Sequence, residues 1–313
     1  MNRKELLNSI MADIRRHKDY AERAAAEDMK RAMFDEQFKA GESERRRLIL
    51  KLASEMNEGN PSATTQLKYD KLIKTLEKRA KELGLSPYAP KYNCVKCLDT
   101  GITEDGKLCK CFTDKYYIAL KKLSGLNGEL RFTLEKHSPA AVKGALQAEK
   151  LDKLYKLFHD FADKYPNTAF QNMILSGGIG TGKTCALSAL GNALLDKGFE
   201  VSFMSAFDMH NAFLSYHIAP AEEKYIYLES LLGAEVLIID DLGTEPIFKN
   251  ITLEYLHLVL SERNMSGKSY FISTNLNSDD IMARYGERIF SRLMDKKNSR
   301  LINIDGTDLR LLK

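Results

Sequence analysis

The chain of 313 residues has no apolar run long enough to cross a bilayer. Its longest runs, such as Val236-Leu237-Ile238-Ile239, fall far short of the roughly 20 residues that a spanning helix needs. It also lacks the apolar segment of a secretory signal, opening instead on Met1-Asn2-Arg3-Lys4-Glu5, so a cytoplasmic protein with no membrane span is expected. Internal repeats and low-complexity segments are missing as well. Net charge is small, +4, and by itself does not identify a polyanion partner. Arg45-Arg46-Arg47 and Lys296-Lys297 lie near acidic residues, which favours solvated faces and leaves nucleic acid open. Cysteine is scarce: four of the five sit in one short segment, which in a cytoplasmic protein points to metal rather than disulfides. None of the six histidines has comparable ligand spacing.

What is present is the texture of a soluble globular protein, 44% apolar and 29% charged, with length enough for two domains. From Met1 to about Glu58 the sequence is charged and helix-prone, with Leu6, Leu7, Ile10, Met11 and Ile14 forming one apolar stripe. That stripe is either an intramolecular packing face or a docking face. A second periodic segment carries Leu67, Leu72, Ile73, Leu76 and Leu83. After the cysteine segment and a helix-like stretch to Leu123, the linker at Ser124 to Gly128 marks the expected boundary between domains 1–128 and 129–313. Beyond it, apolar runs at Asn172 to Ser176, Val201 to Met204, Val236 to Asp240, Ser269 to Ser273 and Leu301 to Ile304 alternate with helical patterns. The α/β class follows, with a parallel five-stranded sheet wrapped by helices and a mainly helical N-terminal domain before it.

Directly after the first of these strands stands Gly177-Gly178-Ile179-Gly180-Thr181-Gly182-Lys183-Thr184, the full G-x-x-x-x-G-K-T pattern, opening into a helix-prone run. The glycines, with Thr181, let the backbone curl so that amide N–H groups converge on phosphate oxygens at a helix N-terminus. Lys183 is expected to reach the β- and γ-phosphates of ATP. Thr184 offers a hydroxyl to Mg²⁺. The strand Val236 to Asp240 ends in two acids: Asp240 is expected to hold Mg²⁺, and Asp241 to orient or deprotonate the attacking water. Glu245 is a further candidate for the same water. The strand ending at Ser273-Thr274-Asn275 puts Asn275 at the same sheet edge, where it can hydrogen-bond the γ-phosphate or the water. Arg288 and Arg292, four apart on one helical face, are candidates for stabilising transition-state charge.

The cysteines are spaced Cys94-x2-Cys97-x11-Cys109-x-Cys111, with Gly101 and Gly106 permitting a hairpin-like reversal that brings the pairs together. Four thiolates suit tetrahedral Zn²⁺ in a closed structural site, with an iron–sulfur cluster as the alternative. Cys185, just inside the helix after the glycine-rich loop, reads as a small packing residue.

Taken together, these motifs resemble the bacterial replicative helicase loaders of the DnaC/DnaI type, within the AAA+ ATPases and close to the IstB-type transposition ATPases. The resemblance covers nearly the whole chain. It identifies residues 177–184 as Walker A, Ile238-Ile239-Asp240-Asp241-Leu242-Gly243 as Walker B, Ser273-Thr274-Asn275 as sensor 1, and Gly286-Glu287-Arg288 with Ser291-Arg292-Leu293 as the arginine-finger region, with Arg292 first and Arg288 second. It implies an N-terminal domain that grips the hexameric replicative DNA helicase, and an ATPase that self-associates side by side and binds single-stranded DNA. The segment Phe207 to Leu232 resembles the extra helix of such ATPases. A full helical lid is not expected, and Arg310 is the late candidate for a second sensor. A transposition helper and an ATP-gated DNA-binding adaptor with incidental hydrolysis are the alternative functions.

Overall fold

The computed structural model describes residues 3–57, 62–126, 132–135 and 145–311, which divide into one body at Leu7–Asp114 and another formed by Lys115–Lys313 with Met1–Leu6. The division falls inside a helix, Lys110–Leu123. Gly128, the expected boundary, lies outside the described residues.

In the first body, α1 (Arg3–Ala32), α2 (Glu36–Asn57) and α3 (Ala63–Glu82) precede the cysteine segment. The apolar stripe of α1 serves as a packing face, with Ile10 and Ile14 buried and Met11 against Gly101 of the cysteine segment. Asp35 starts α2 by accepting the Phe38 N–H at 2.9 Å, and its other oxygen takes the Arg79 guanidinium of α3 at 2.6 Å. Between these helices Ala32, Phe38, Leu76, Ala80 and Leu85 form the core.

The second body takes in most of α4 (Lys110–Leu123) and continues with α5 (Ala145–Lys164), β1 (Asn172–Ser176), α6 (Lys183–Asp196), β2 (Val201–Ser205), α7 (Ala206–Ile218) and α8 (Lys224–Leu232). It goes on with β3 (Val236–Leu242), a π-helical turn (Lys249–Leu253), α9 (Glu254–Ser266), β4 (Ser269–Thr274), α10 (Ser278–Leu293) and β5 (Ser299–Asn303). The expected five-stranded parallel sheet is present, in the order β2-β3-β4-β1-β5. Both faces are covered, which is why the strands read as continuous apolar runs instead of alternating ones. Ile238 meets α6 at Gly191, and Phe271 takes the edges of Phe158 and Phe161 from α5 at 6.0 and 5.0 Å. Their neighbours Leu237, Ile239, Tyr270 and Ile272 point the other way, into a core with α9 and α10.

Arg263 of α9 is fully buried and donates to the carbonyls of Leu231, Ala234, Glu235 and Ser269 at 2.6–3.1 Å. It thereby ties the end of α8 to the starts of β3 and β4. Burial pulls its pKa down to about 10. Two local features depart from the expected pattern. The segment 207–232 is two helices, because Ala219 leaves the helical region ahead of Pro220. The helix α10 breaks at Gly286 (φ 80°, ψ 168°). After β5, the regular element among the described residues is a 3-10 turn, Leu309–Leu311.

Candidate functional site

With β4 between β1 and β3, the C-terminal ends of these three strands lie side by side, so the loop after β1, the acids of β3 and Asn275 after β4 share one edge. Lys183, at the start of α6, is buried, and its Nζ donates to the carbonyls of Gly177 (2.9 Å) and Gly178 (2.7 Å) and to Asn275 Oδ1 (2.9 Å). Thr181 Oγ1 braces the same loop through the Gly178 carbonyl at 3.0 Å. Thr184 Oγ1 donates to Asp240 Oδ1 at 3.0 Å, and Ser273 Oγ donates to the same oxygen at 2.5 Å. Ser273 Oγ also accepts the Asp241 N–H at 2.8 Å. One hydrogen-bonded set therefore joins Walker A, Walker B and sensor 1.

Asp241 sits in the left-handed region (φ 56°), where the β3–β4 register shifts between Ile239 and Leu242. A strained backbone of this kind persists only where surrounding contacts hold it, and it re-aims a side chain that would otherwise alternate away from Asp240. Burial lowers the Lys183 pKa, with Asp241 and Asp240 opposing that shift. Burial raises the Asp240 pKa, Asp241 adds to the rise, and Ser273, Thr184 and Lys183 pull against it. Two adjacent hard oxygens, Thr184 Oγ1 and Asp240 Oδ1, make a donor set that fits Mg²⁺.

The four cysteine sulfurs of the segment lie within 4.8 Å of one another. Cys94 and Cys109 Sγ are 3.7 Å apart and Cys97 and Cys111 Sγ 3.5 Å, against the ~3.8 Å between thiolates tetrahedral about Zn²⁺. The turn after Cys97 is built from left-handed Leu98 and Asp99. The buried Asp99 carboxylate accepts the N–H groups of Asn93 and Cys94, each at 2.8 Å. The return arm is set by the Ile102–Leu108 bridge and by the Cys109 N–H donating to the Gly101 carbonyl at 2.9 Å. The Cys97 amide, the largest influence on Cys94, helps lower its thiol pKa to about 7, whereas the Cys109 thiol is pushed up and that of Cys111 is pushed up chiefly by burial.

Residues 148–313, more than half of the chain, match the family model described as IstB-like ATP binding protein. The chain belongs to that family. Two curated relatives from Escherichia coli strain K12 are similar to part of this chain. The uncharacterized protein YdaV is 32% identical over 139 residues, covering 44% of this chain and 54% of YdaV. The replicative helicase loader DnaC is 26% identical over 124 residues, covering 39% and 49%. This chain thus spans about half the length of the curated relatives it matches. Among solved structures, the DnaC helicase loader is similar at 22% identity and a TM-score of 0.47, covering 56% of this chain and 98% of that one.

Three candidate residues of the IstB-like domain stand apart from the Lys183–Asp240 set. Arg288 Nη1 lies 3.8 Å from Glu254 Oε1 on α9, and Arg292 Nε donates to Ser261 Oγ at 3.4 Å. Both act on His257, whose pKa falls through burial and then through these two charges. Neither makes a described contact with residues 177–184, Asp240 or Asp241. Glu245 is placed differently from its expected role beside water: its side chain is wholly buried and engaged by Gly243 and Tyr285.

Arg310 does come to the site. The Leu309 N–H donates to the Gly180 carbonyl at 2.9 Å, and Asp308 lies so close to Gly180 (φ 71°) that a Cβ there would meet its carboxylate at 1.8 Å. Asp308 holds the Arg310 guanidinium through two bonds of 3.0 and 2.9 Å, and the Arg310 charge is felt by Lys183. Sequence reasoning missed Asp308 and the bracing by Ser273. Strand-end serines and tail aspartates carry no spacing signal, and only tertiary pairing gives them a place.

Proposed function

We propose that this chain is an ATP-hydrolysing loader that binds a hexameric replicative DNA helicase and delivers it onto single-stranded DNA in the cytoplasm. Its proposed domains are 1–128, gripping the helicase, and 129–313, the ATPase. The observation that carries this reading is a helical, cysteine-clustered body of its own joined to an AAA+ core similar to a replicative helicase loader. A transposition helper is the second reading, favoured by the family description itself.

In the proposed mechanism the loop amides and Lys183 bind the β- and γ-phosphates of ATP. Thr184 and Asp240 would hold Mg²⁺, which would neutralise charge on those phosphates. Asp241, aimed by its left-handed backbone, orients the attacking water, and Asn275 fixes Lys183 and the γ-phosphate side. Arg310 supplies a positive charge from the same subunit. Arg292, with Arg288 second, reaches the γ-phosphate of a neighbouring copy, so turnover requires self-association. The four cysteines would hold a structural Zn²⁺.

The test uses the full chain with the replicative helicase of its host, with and without ATP, followed by size-exclusion chromatography and by helicase activity on circular single-stranded DNA. Co-elution with the helicase and ATP-dependent loading are expected. No co-elution in either nucleotide state overturns the loader reading, and duplex-stimulated association with a transposase instead would establish the helper.

A further inference from the structure

The residues 241–245 hold a carboxylate that the nucleotide site does not use. Glu245 is fully buried, and among the described residues its ion pair with Arg284 is a long one, with Nε 4.0 Å from Oε1. Its Oε2 accepts the Gly243 N–H at 2.8 Å, just after the register shift of β3. Its Oε1 accepts the Tyr285 hydroxyl at 2.5 Å, a charge-assisted bond to α10, and its backbone carbonyl accepts Arg284 Nη2, also at 2.5 Å. The buried, hydrogen-bonded carboxylate raises the pKa of Tyr285, behind burial as the larger cause, so this phenol remains a donor at neutral pH.

Two consequences follow from where these partners sit. Gly243 ends the turn that carries Asp240 and Asp241. Tyr285 is the last residue before the break of α10 at Gly286, where φ of 80° excludes ordinary side chains although no atom lies within 4 Å of a Cβ. The segment after that break bears Arg288 and Arg292. Its far end is fixed to β4 by the Tyr270 hydroxyl donating to the Arg292 carbonyl at 2.9 Å. Both ends of the arginine segment are thus anchored, one to β4 and one to the acid-bearing turn, where the Glu245 carboxylate holds Tyr285 and the Glu245 backbone carbonyl holds Arg284.

We infer that Glu245 is a positioning residue that couples the Asp240–Asp241 turn to the Arg288–Arg292 segment, so that the site of one copy and the arginines it offers to the next copy move together. The inference rests on the reading of this core as an ATPase whose arginines act in trans. An apolar residue at 245 would fill the space, but it would leave the Gly243 N–H and the Tyr285 hydroxyl buried without acceptors. A glutamine keeps the volume and can still take the Gly243 N–H, but towards Tyr285 it offers only a neutral amide, so the link between the carboxylate and the Tyr285 hydroxyl is lost in its charge-assisted form.

The experiment measures steady-state ATP hydrolysis, affinity for a fluorescent ATP analogue, and hydrogen exchange of residues 287–293 with and without a Mg²⁺–ATP analogue, for the full chain and for Glu245→Gln and Tyr285→Phe. Expected for Glu245→Gln is a kcat lower by about tenfold, with KM and analogue affinity within about twofold of the parent. Tyr285→Phe should lose less, and the double variant no more than Glu245→Gln, because both remove one linkage. Analogue binding should alter exchange of residues 287–293 in the parent and not in Glu245→Gln. A parental exchange response in Glu245→Gln that binds the analogue overturns the coupling. A parent that binds the analogue, shows that response and never hydrolyses ATP overturns the ATPase reading while leaving the coupling standing. If Glu245→Gln does not fold, Tyr285→Phe decides by the same exchange measurement.

Discussion

The fold that holds Asp240 disfavours the charge of its carboxylate. Its pKa is raised, first by burial and then by the Asp241 charge, so the native chain binds its proton more tightly than the unfolded chain does. Stability from this group is present at low pH and is lost as pH rises through the native pKa; above that point the carboxylate opposes folding. Asparagine removes the opposing charge, and its Oδ1 still accepts from Thr184 and Ser273. Asp240→Asn is therefore expected to melt about 2–4 °C higher than the parent without nucleotide, and to lose Mg²⁺-dependent stabilisation by ATP. Differential scanning calorimetry with and without Mg²⁺–ATP reads both effects, and a lower melting temperature in the nucleotide-free variant would contradict this account. The same sign predicts that Mg²⁺–nucleotide affinity falls on acidification before ordinary carboxylates titrate.

Among the elements, the cysteine segment is the one for which a bound metal is proposed. Its turn runs through two left-handed non-glycine residues, Leu98 and Asp99, and Val95, Leu98, Ile102 and Leu108 are exposed on it, so little apolar burial holds the pairs together. Four thiols at thiolate–metal spacing are then the main cross-link. The full chain purified without chelator is expected to carry one zinc per chain by elemental analysis. Chelation should speed proteolysis within residues 94–111 and leave ATP-analogue affinity within about twofold. Iron with acid-labile sulfide in place of zinc identifies the alternative cluster, and no metal of either kind overturns the site. This segment was legible because the spacing of four ligands is itself the geometry. The strands β1 to β4 were legible for a similar reason, since burial on both faces forces runs such as Val236 to Ile239. The turn at Asp241 and the break at Gly286 were not. Each is a change of backbone direction tied to a partner distant in sequence, Ser273 for Asp241 and Glu245 for the Tyr285 that precedes Gly286. For β5 the reading began two residues late, because Ser299 and Arg300 look like loop while they pair with Asn172 and Met173.

At the scale of the whole molecule, the proposed site is divided. Lys183, Thr184, Asp240 and Asn275 are drawn together within one copy, whereas Arg288 and Arg292 lie against α9 and contact none of them. An arginine that reached the γ-phosphate of its own subunit would have to leave the segment fixed at Tyr285 and Arg292. One that reaches a neighbour's phosphate can stay where it is. The two arrangements differ in complementation. Arg292→Ala retains an intact binding site and lacks the arginine, and Asp240→Asn retains the arginine and lacks the Mg²⁺ carboxylate, so each alone should hydrolyse ATP at least about a hundredfold more slowly than the parent. Mixed in equal amounts under conditions of assembly, about one interface in four pairs an intact site with an intact arginine. The mixture is expected to recover about a quarter of the parental rate, and the recovery should fall on dilution as assemblies dissociate. An arginine acting within its own subunit gives no recovery at any ratio, because no single chain in the mixture then holds both parts of the site.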